Sequence, residues 1–363
     1  MKINKFDLKY SSSDIKNFIS YSKEILKNGF LAEGFYLKEF EKKFLLEQKN
    51  KYGNLVGSGT DALQIAFEAA NLDGYEVLIP ANTFVATYIA AHLAKAKIKL
   101  IDVSPIDGII TLNEIKRNVS KNTKAICIVH IGGHISREIF KIKKFCKENN
   151  LILIEDAAHC VGSSYKNKYA GTFGNFGCFS FFPTKSLTMG EGGFITFQDK
   201  KLIDKVYGIK NFGRTNRIED EHNILGFNMK VTELQAALGL VDLSRFNLRL
   251  KKRRELFRTY LNELNNSNFQ ILHRESYIES SCYKIIIKSE KERIKSLYKQ
   301  FDKHFIAMTG KVYSKQISQH SAFSENKMFP NAQIFIDEHF CPPLYPELTN
   351  KQIQFITSVI NKG

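Results

Sequence analysis

The residues best suited to carry chemistry lie in the segment Gly177–Gly193, GCFSFFPTKSLTMGEGG. A short aromatic strand leads to Ser180, a Pro-Thr-Lys turn follows, and a glycine-rich tail closes the segment. Such a turn would hold Lys185 in one place, which an amine needs if it is to form a Schiff base with a carbonyl compound. The plainer interpretation is a surface lysine after a strand, so Lys185 has to be judged by the motifs around it.

A carboxylate follows another predicted strand, in the motif IEDAAH at 154–159. A charged carboxylate at a buried strand end needs a partner, and a protonated pyridine nitrogen would be one. Asp156 is a better candidate than Glu155 because the two alanines after it leave room for a flat ring, and His159 lies close enough to touch the ring's polar edge. An aspartate that caps the start of a helix is the alternative.

The motif GSGTDAL at 57–63 could bind a phosphate group. Small residues that end a strand and open a helix leave backbone N–H groups facing outward, where the helix dipole also favours an anion. Ser180 would add a second phosphate-binding group from the lysine segment. Thr60 as a helix N-cap is the plainer interpretation, and both can hold together.

Two further motifs complete the set. PANTFVAT follows a predicted strand and carries Phe84, which could stack on a cofactor ring or belong to the core. GFNMKVTELQ precedes a long helical pattern, and its Asn228 and Lys230 could bind phosphate from a loop. The alternative there is a glycine-rich turn with Thr232 as N-cap and Gln235 at the reciprocal position of a capping box.

An amine, a buried carboxylate, an aromatic ring and a phosphate cradle together are the equipment for binding pyridoxal phosphate. In such a site the lysine anchors the cofactor, the carboxylate keeps the pyridine nitrogen protonated, and the cofactor acts as an electron sink. The histidines of VHIGGH, His130 and His134, stand four apart, but two glycines between them argue against a helix. We therefore predict no metal site.

Apolar runs alternate with helical patterns between residues 53 and 200, which predicts a mainly parallel α/β sheet. The predicted strands are 76–80, 98–103, 124–129, 151–155 and 178–182, and the predicted helices lie near 60–72, 83–95, 112–118 and 136–149. Ligands of such sheets gather at the carboxyl ends of the strands, where the candidate residues fall. A helical pattern from 231 leads to a smaller unit with a strand at 282–288, a helix at 290–304 and a closing helix at 349–361 capped by Thr349.

The composition of the 363 residues favours a cytoplasmic protein with a large core, since 43% of the residues are hydrophobic and no signal segment or membrane span is evident. The six cysteines form no CxxC pair, which is typical of reduced thiols. The net charge of +16 attracts anions. Apolar residues interrupt the basic run 249–258 at helical spacing, so we interpret it as the solvated face of a helix and expect no nucleic-acid or membrane partner.

In this order, the motifs GSGTDAL, PANTFVAT, EDAAH, SFFPTKSLTMGEGG, GFNMKVTELQAALG and CPPLYPELT resemble those of the DegT/DnrJ/StrS family of sugar-nucleotide aminotransferases. The resemblance spans nearly the whole chain, from about residue 28. It implies a fold type I pyridoxal-phosphate enzyme, with a large domain at 1–245 built on a mainly parallel seven-stranded sheet and a smaller C-terminal α+β domain at 246–363. The N-terminal segment is a candidate to pack on the smaller domain.

The resemblance also implies a role for each matching residue. Lys185 would hold the cofactor and move protons, and Asp156 would pair with the pyridine nitrogen. Phe84 would stack on the ring, and His159, where the family often has Gln, would contact the ring hydroxyl. The residues that would hold the phosphate are Gly59, Thr60, Asp61, Ser180 and, from a neighbouring subunit, Asn228. A homodimer with shared active sites follows from the last of these roles.

The implied reaction takes an amino group from an amino acid, with L-glutamate the expected donor, and gives it to a keto group of a nucleotide-diphosphate-linked deoxysugar. Pyridoxamine phosphate would carry the amine between the two halves, in the synthesis of surface-polysaccharide or glycan precursors. One alternative is a related pyridoxal-phosphate enzyme that acts on a non-sugar ketone or catalyses dehydration. Another is a binding or regulatory relative without catalysis.

Three departures from the family pattern bear on the sugar acceptor rather than on the cofactor. Ser186 replaces the Asn common after the lysine, and Lys230 replaces a frequent Arg. The segment Tyr313–Phe323 lacks the usual His-x-Gln pattern, which leaves the role of His320 open. The acceptor would also depend on the loops 30–36 and 210–217.

Overall fold

The computed structural model describes residues 2–215, 221–264, 269–272, 278–323 and 327–362. The helices are α1 Ser12–Asn28, α2 Phe35–Glu47, α3 Gly59–Ala69, α4 Val85–Leu93, α5 Leu112–Asn118, α6 Ile139–Glu148, α7 Ile203–Lys210, α8 Glu233–Ser244, α9 Phe246–Glu263, α10 Lys291–Lys303, α11 Pro330–Asp337 and α12 Asn350–Lys362. The strands are β1 Tyr52–Val56, β2 Glu76–Pro80, β3 Lys97–Ile101, β4 Thr123–Val129, β5 Ile152–Asp156, β6 Ser164–Tyr165, β7 Lys168–Tyr169, β8 Phe176–Ser180, β9 Gly193–Phe197, β10 Gln270–Ile271, β11 Ile278–Glu279, β12 Ile287–Lys288 and β13 His339–Phe340.

The central element of the described chain is a seven-stranded sheet in the order β1-β9-β8-β5-β4-β2-β3. Neighbouring strands pair in parallel from β8 to β3, whereas β9 runs antiparallel to both β8 and β1. This confirms the predicted mainly parallel sheet. The carboxyl ends of β1, β2, β4, β5 and β8 therefore open on one edge, and the loops that follow them meet there.

The element boundaries in the first 200 residues follow the sequence closely. The five predicted strands differ from the observed ones by at most two residues at either end, and the four predicted helices differ by at most three. One cap was predicted wrongly, because α3 begins at Gly59 and its N-cap is Ser58, whose hydroxyl accepts the Asp61 N–H at 3.0 Å. Thr60 is thus inside the helix.

The helical pattern after residue 231 divides into α8 and α9 at Arg245. Thr232 caps α8 in a capping box with Gln235, as predicted. The basic run within α9 was misjudged, because two of its arginines are buried. Arg249 binds the Asp242 carboxylate at 2.9 Å, and Arg253 donates to backbone carbonyls.

A second core cluster gathers apolar residues of α9, α10 and α12 around the short sheet of β10, β12 and β13. Ile3 belongs to this cluster. Its N–H donates to the Phe305 carbonyl, and its carbonyl accepts the Ala307 N–H. Thr349 caps α12 as predicted, since its hydroxyl accepts the Gln352 N–H. The division of the chain between 245 and 246 stays a prediction.

The strand predicted at 282–288 is wrong for its first five residues, since β12 covers only Ile287–Lys288. Cys282 has a left-handed backbone with φ 51°, which no strand accommodates. Within the described residues, no helix is both long and apolar enough to cross a membrane.

Candidate active site

Lys185 lies in a tight turn just beyond the carboxyl end of β8. Its backbone N–H donates to the Phe182 carbonyl at 2.9 Å, and the Phe181 N–H donates to the Gly192 carbonyl where the chain returns toward β9. Thr188 anchors the same loop, because its N–H donates to the buried Asp242 carboxylate at 2.9 Å. Lys185 is half-buried, and its amine lies 4.9 Å from the centre of the Tyr283 ring. The turn therefore fixes the lysine, as the sequence predicted.

The two neighbouring carboxylates at the end of β5 have different surroundings, because successive side chains on a strand point to opposite faces. Glu155 is fully buried and accepts backbone N–H groups of Gly171, Phe173 and Gly174 at 2.6–2.8 Å. His130 completes this set, with Nε2 3.0 Å from Glu155. Glu155 is thus satisfied inside the protein, and the choice of Asp156 as the site carboxylate is consistent with the geometry.

Asp156 is 5% exposed, and its hydrogen bonds come from neutral donors. The Thr87 hydroxyl donates at 2.8 Å and the Ala158 N–H at 3.1 Å, so the aspartate holds a turn and does not cap a helix. Burial raises the pKa of Asp156, while these hydrogen bonds and the charge of Lys185 act in the opposite direction. A buried carboxylate in such surroundings is stabilised by any additional cation.

His159 is held as a neutral imidazole beside Asp156. Its Nδ1 accepts the Gly132 N–H at 3.3 Å, so Nε2 carries the proton and can donate. Burial, together with the charges of Lys185 and Lys284, lowers the pKa of His159 well below its usual value. The ring stacks on Tyr283 with 4.3 Å between centroids.

Phe84 stands at the N-cap of α4 and is 57% exposed, so it is not a core residue. Its ring lies 6.5 Å from that of Tyr313 in a stacked arrangement, and Tyr313 in turn stacks on His159 at 6.1 Å. The Phe84 ring is thus accessible to a ligand, and Tyr313 links it to His159 beside Asp156.

The helix α3 begins directly against Ser180. A Cβ placed at Gly59 would lie 2.8 Å from the Ser180 Cβ, which shows how closely the helix N-terminus and the end of β8 approach. Thr60 and Asp61 occupy the first turn, where the helix dipole favours an anion, and the Asp61 N–H already donates to Ser58. Burial raises the pKa of Asp61, partly offset by hydrogen bonds from Ser58. The residues Gly59, Thr60, Asp61 and Ser180 are thus brought together.

Asn228 and Lys230 lie in a segment attached to the same cradle, since the Gly57 N–H donates to the Met229 carbonyl at 2.9 Å. Asn228 is exposed and pairs through its backbone with Asn211. The Lys230 amine lies 4.0 Å from the centre of the Phe212 ring, and burial lowers its pKa. The reach of Asn228 into a partner's site stays a prediction.

Thr87, Tyr283 and Tyr313 also belong to this cluster, although the sequence did not predict a role for them there. Thr87 closes the motif PANTFVAT, whose position after β2 could have singled it out. Ser186, the unusual neighbour of Lys185, is 5% exposed, and its hydroxyl has no hydrogen-bond partner among the described residues. His320 lies 6.0 Å from Phe323 by ring centroids. Residues 216 and 217 of the predicted sugar loop are outside the described residues.

The histidines of VHIGGH are engaged in the protein's own structure. His130 bonds to Glu155, and its Nδ1 accepts the Ser136 N–H at 3.3 Å. His134 is buried, and burial lowers its pKa to about 3. Across the residues that the structure describes, no three His, Cys, Asp or Glu side chains are grouped so as to hold a metal ion.

Comparison with known proteins gives a consistent set of relatives. A model of the DegT/DnrJ/EryC1/StrS aminotransferase family matches residues 12–361. GDP-perosamine synthase of Escherichia coli O157:H7 is 30% identical over 354 residues, 94% of each chain. UDP-4-amino-4,6-dideoxy-N-acetyl-beta-L-altrosamine transaminase of Campylobacter jejuni is 33% identical over 273 residues, 73% of this chain and 72% of the other.

Among solved structures, Helicobacter pylori PseC, an aminotransferase involved in the biosynthesis of pseudoaminic acid, superimposes with a TM-score of 0.91. The match covers 100% of this chain and 99% of PseC at 24% sequence identity. At that identity the likeness establishes the fold alone, and it agrees with the sheet described above.

Proposed function

We propose that this chain, which belongs to the DegT/DnrJ/EryC1/StrS aminotransferase family, transfers an amino group from an amino acid to a keto group of a nucleotide-linked sugar. Pyridoxal phosphate would be its cofactor, and L-glutamate its amino donor. The relatives whose names specify GDP- and UDP-linked amino sugars support a nucleotide-diphosphate acceptor. The product would then be a nucleotide-linked amino sugar, which would serve as a precursor in surface-polysaccharide synthesis.

The observation that carries the proposal is the meeting of Lys185 and Asp156 at one edge of the sheet. Lys185 offers an amine in a fixed turn. Asp156 offers a buried carboxylate whose hydrogen bonds come from neutral donors. A carboxylate of this kind suits a protonated ring nitrogen. The close approach of Gly59 to Ser180 at a helix N-terminus suits a phosphate, so the residues present fit pyridoxal phosphate.

When bound, pyridoxal phosphate supplies an electron sink for the carbon that gains or loses the amine. Asp156 would keep the ring nitrogen protonated, and the Nε2–H of His159 would donate to the ring's polar edge. Gly59, Thr60, Asp61 and Ser180 would hold the phosphate, and Phe84 would cover one ring face. Lys185 would take a proton from the carbon that carries the amine and return one, in both halves of the reaction.

A homodimer with shared sites is part of the proposal. Exposed apolar side chains surround the segment that carries Asn228, and the backbone bond from Glu233 to Leu31 joins two stretches of them. They are Phe30, Leu31, Phe35, Phe212, Leu225, Phe227 and Leu234. A patch of this kind around a predicted phosphate ligand is typical of an interface, and a second copy of the chain would cover it.

A reducing compartment also fits the chain. All six cysteines are unpaired and buried, which supports placement in the cytoplasm.

The test is transfer of isotope from [15N]glutamate to a panel of GDP- and UDP-linked 4-keto-6-deoxysugars, followed by mass spectrometry of the product. We expect at least one sugar to gain 15N. Lys185→Ala should lower the rate by about 10²–10⁴-fold, because it removes the group that moves the proton. Lys200→Ala, which removes an exposed lysine, is the matched control and should match the unaltered protein.

Other outcomes would contradict the proposal in distinct ways. A sugar product that has lost a hydroxyl without gaining 15N would identify a dehydratase. Isotope transfer to simple keto acids alone would identify a non-sugar acceptor. Absence of transfer and of cofactor uptake would leave a binding protein.

A further inference from the structure

The ring of Tyr283 touches three parts of the catalytic cluster at once. Its face lies 4.9 Å below the Lys185 amine, its plane stacks on His159 at 4.3 Å and 24°, and its hydroxyl is 3.3 Å from the Thr184 hydroxyl. Thr184 and Lys185 are neighbours in one turn. Tyr283 therefore contacts that turn at two points, the Thr184 hydroxyl and the Lys185 amine. Tyr283 comes from a segment 99 residues farther along the chain than Thr184.

The segment that carries Tyr283 is anchored to the loops of the site. Ser281 donates its hydroxyl to the His159 carbonyl at 2.6 Å, and its N–H donates to the Ser163 hydroxyl at 2.9 Å. On the other side, the Lys284 N–H donates to the Gly132 carbonyl at 3.0 Å. Tyr283 is therefore fixed relative to His159 by hydrogen bonds on both sides, through the Ser281 hydroxyl on one and the Lys284 backbone on the other.

The backbone is strained at the residue just before Tyr283. Cys282 is buried, and its φ of 51° lies in the left-handed region. Residues other than glycine and asparagine rarely adopt this backbone conformation. Arg253, itself 2% exposed, donates to the Cys282 carbonyl at 3.3 Å and to the Leu344 carbonyl at 3.0 Å. Strain of this kind persists only where its surroundings determine it, and it gathers at functional sites.

The charges around the phenol are unusual for a buried tyrosine. Burial raises the pKa of Tyr283, but the cations of Lys185 and Lys284 and the Thr184 hydrogen bond outweigh it and lower the pKa overall. The electron-rich ring thus lies among positive charges, where a cation over its face is favoured.

We propose that Tyr283 is a positioning residue for amino transfer, which keeps the Lys185 amine over its ring and orients His159 by stacking. The inference rests on the proposed function, because Lys185 has this task only if it moves the proton. It concerns placement alone, so Tyr283 takes no proton from the substrate. A residue with a merely structural role would leave the reactivity of a single amine unchanged. Removal of the Tyr283 ring should instead change the reactivity of the Lys185 amine.

The test compares Tyr283→Leu and Tyr283→Phe by two measurements. In cofactor-free protein, trace acetylation with acetic anhydride is followed at the Lys185 peptide by mass spectrometry, relative to exposed Lys200. We expect Tyr283→Leu to raise Lys185 labelling about fivefold, the factor that corresponds to one cation–π contact. Tyr283→Phe keeps the ring and should stay within about twofold.

In the loaded enzyme, Tyr283→Leu should lower kcat about 10- to 100-fold because the amine is misplaced. KM for glutamate should change less than about threefold, and Tyr283→Phe should restore most of kcat. Tyr298→Leu, which removes a ring at the edge of the second core cluster, is the matched control and should alter neither readout.

Unchanged Lys185 labelling in folded Tyr283→Leu would overturn the inference, as would a loss confined to KM. If labelling rises while the unaltered protein transfers no amine to any acceptor, the positioning contact is confirmed and the proposed function is what fails.

Discussion

Two adjacent carboxylates end β5, and their surroundings assign them different tasks. Glu155 is enclosed by N–H groups, whereas the donors to the Asp156 carboxylate among the described residues are Thr87 and Ala158. Burial raises the pKa of Asp156 in the folded chain. The folded state therefore favours its protonated form, so the stability that this group contributes falls as pH rises from the unfolded pKa through the raised one. At pH 7 the charged carboxylate is a cost to the cofactor-free protein.

Asp156→Asn should accordingly stabilise the cofactor-free protein at pH 7 by about 1 kcal/mol while abolishing most amino transfer. The amide can donate to Thr87, whose hydroxyl can turn to Thr83 at 2.8 Å, and its oxygen can still accept from Ala158. Urea unfolding and the isotope-transfer rate measure the two effects. Lower stability together with full activity would show that Asp156 is a structural carboxylate.

Asp14→Asn is the control of opposite sign. The pKa of Asp14 is lowered, since hydrogen bonds from Ser11 and the charge of Arg245 outweigh its burial. Its stabilising contribution is present above the unfolded pKa and is lost as pH falls. Asp14 closes the capping box that begins at Ser11, the N-cap of α1. We expect Asp14→Asn to cost about 0.5–1 kcal/mol at pH 7, because it weakens this box, and to leave amino transfer unchanged.

At the scale of elements, the Glu155 carboxylate organises the loop between β7 and β8. It accepts three backbone N–H groups at 171–174 and bonds to His130, which joins that loop to the end of β4. Because β8 delivers Ser180 and the Lys185 turn, the placement of the site depends on this buried carboxylate.

Glu155→Gln should lower the free energy of unfolding by about 2–4 kcal/mol, because an amide NH₂ would face N–H donors that then lose their acceptor. Urea unfolding gives the value. Glu148→Gln, which loosens an exposed pair with Lys144 on α6, should change it by less than about 0.5 kcal/mol. Equal effects of the two substitutions would contradict the role given to Glu155.

The sequence predicted local elements and strand-end motifs because both depend on neighbouring residues. Periodic apolar runs gave the strands of the sheet, and turn residues gave the Lys185 loop. Prediction from the sequence failed where a residue's hydrogen-bond partners come from outside its own helix or strand. Arg249 and Arg253 looked solvated because their acceptors, Asp242 and the 282 and 344 carbonyls, cannot be recognised from α9 alone.

The same limit explains the residues of the site that were overlooked. Tyr283 lies in an apolar run that suggested a strand, but the left-handed backbone at Cys282 interrupts that run and the Tyr283 ring lies beside Lys185. Thr87 is one turn into α4, and its contact with Asp156 requires the order of β2, β4 and β5 in the sheet. Such contacts are properties of the folded topology.

For the whole molecule, the shared-site homodimer predicts complementation between two defective subunits. Lys185→Ala and Asn228→Ala proteins should each be impaired, and a 1:1 mixture after subunit exchange should regain activity. With random pairing, half of the dimers are mixed, and one of the two sites in each mixed dimer has an unaltered Lys185 and an unaltered Asn228. About a quarter of all sites are therefore intact. The dimer itself should appear in light scattering as twice the 41.6 kDa chain mass. A fully active monomer, or mixed dimers without recovery, would contradict the proposal.

The assignment of Lys185 as the cofactor-binding lysine is the claim on which the rest depends, and one measurement tests it directly. The protein is loaded with pyridoxal phosphate, reduced with borohydride, digested and mapped by mass spectrometry. We predict the cofactor-derived mass on Lys185, and its loss from that peptide when glutamate is added before reduction. Attachment to Lys230 or Lys284 instead, or to no lysine at all, would contradict the account.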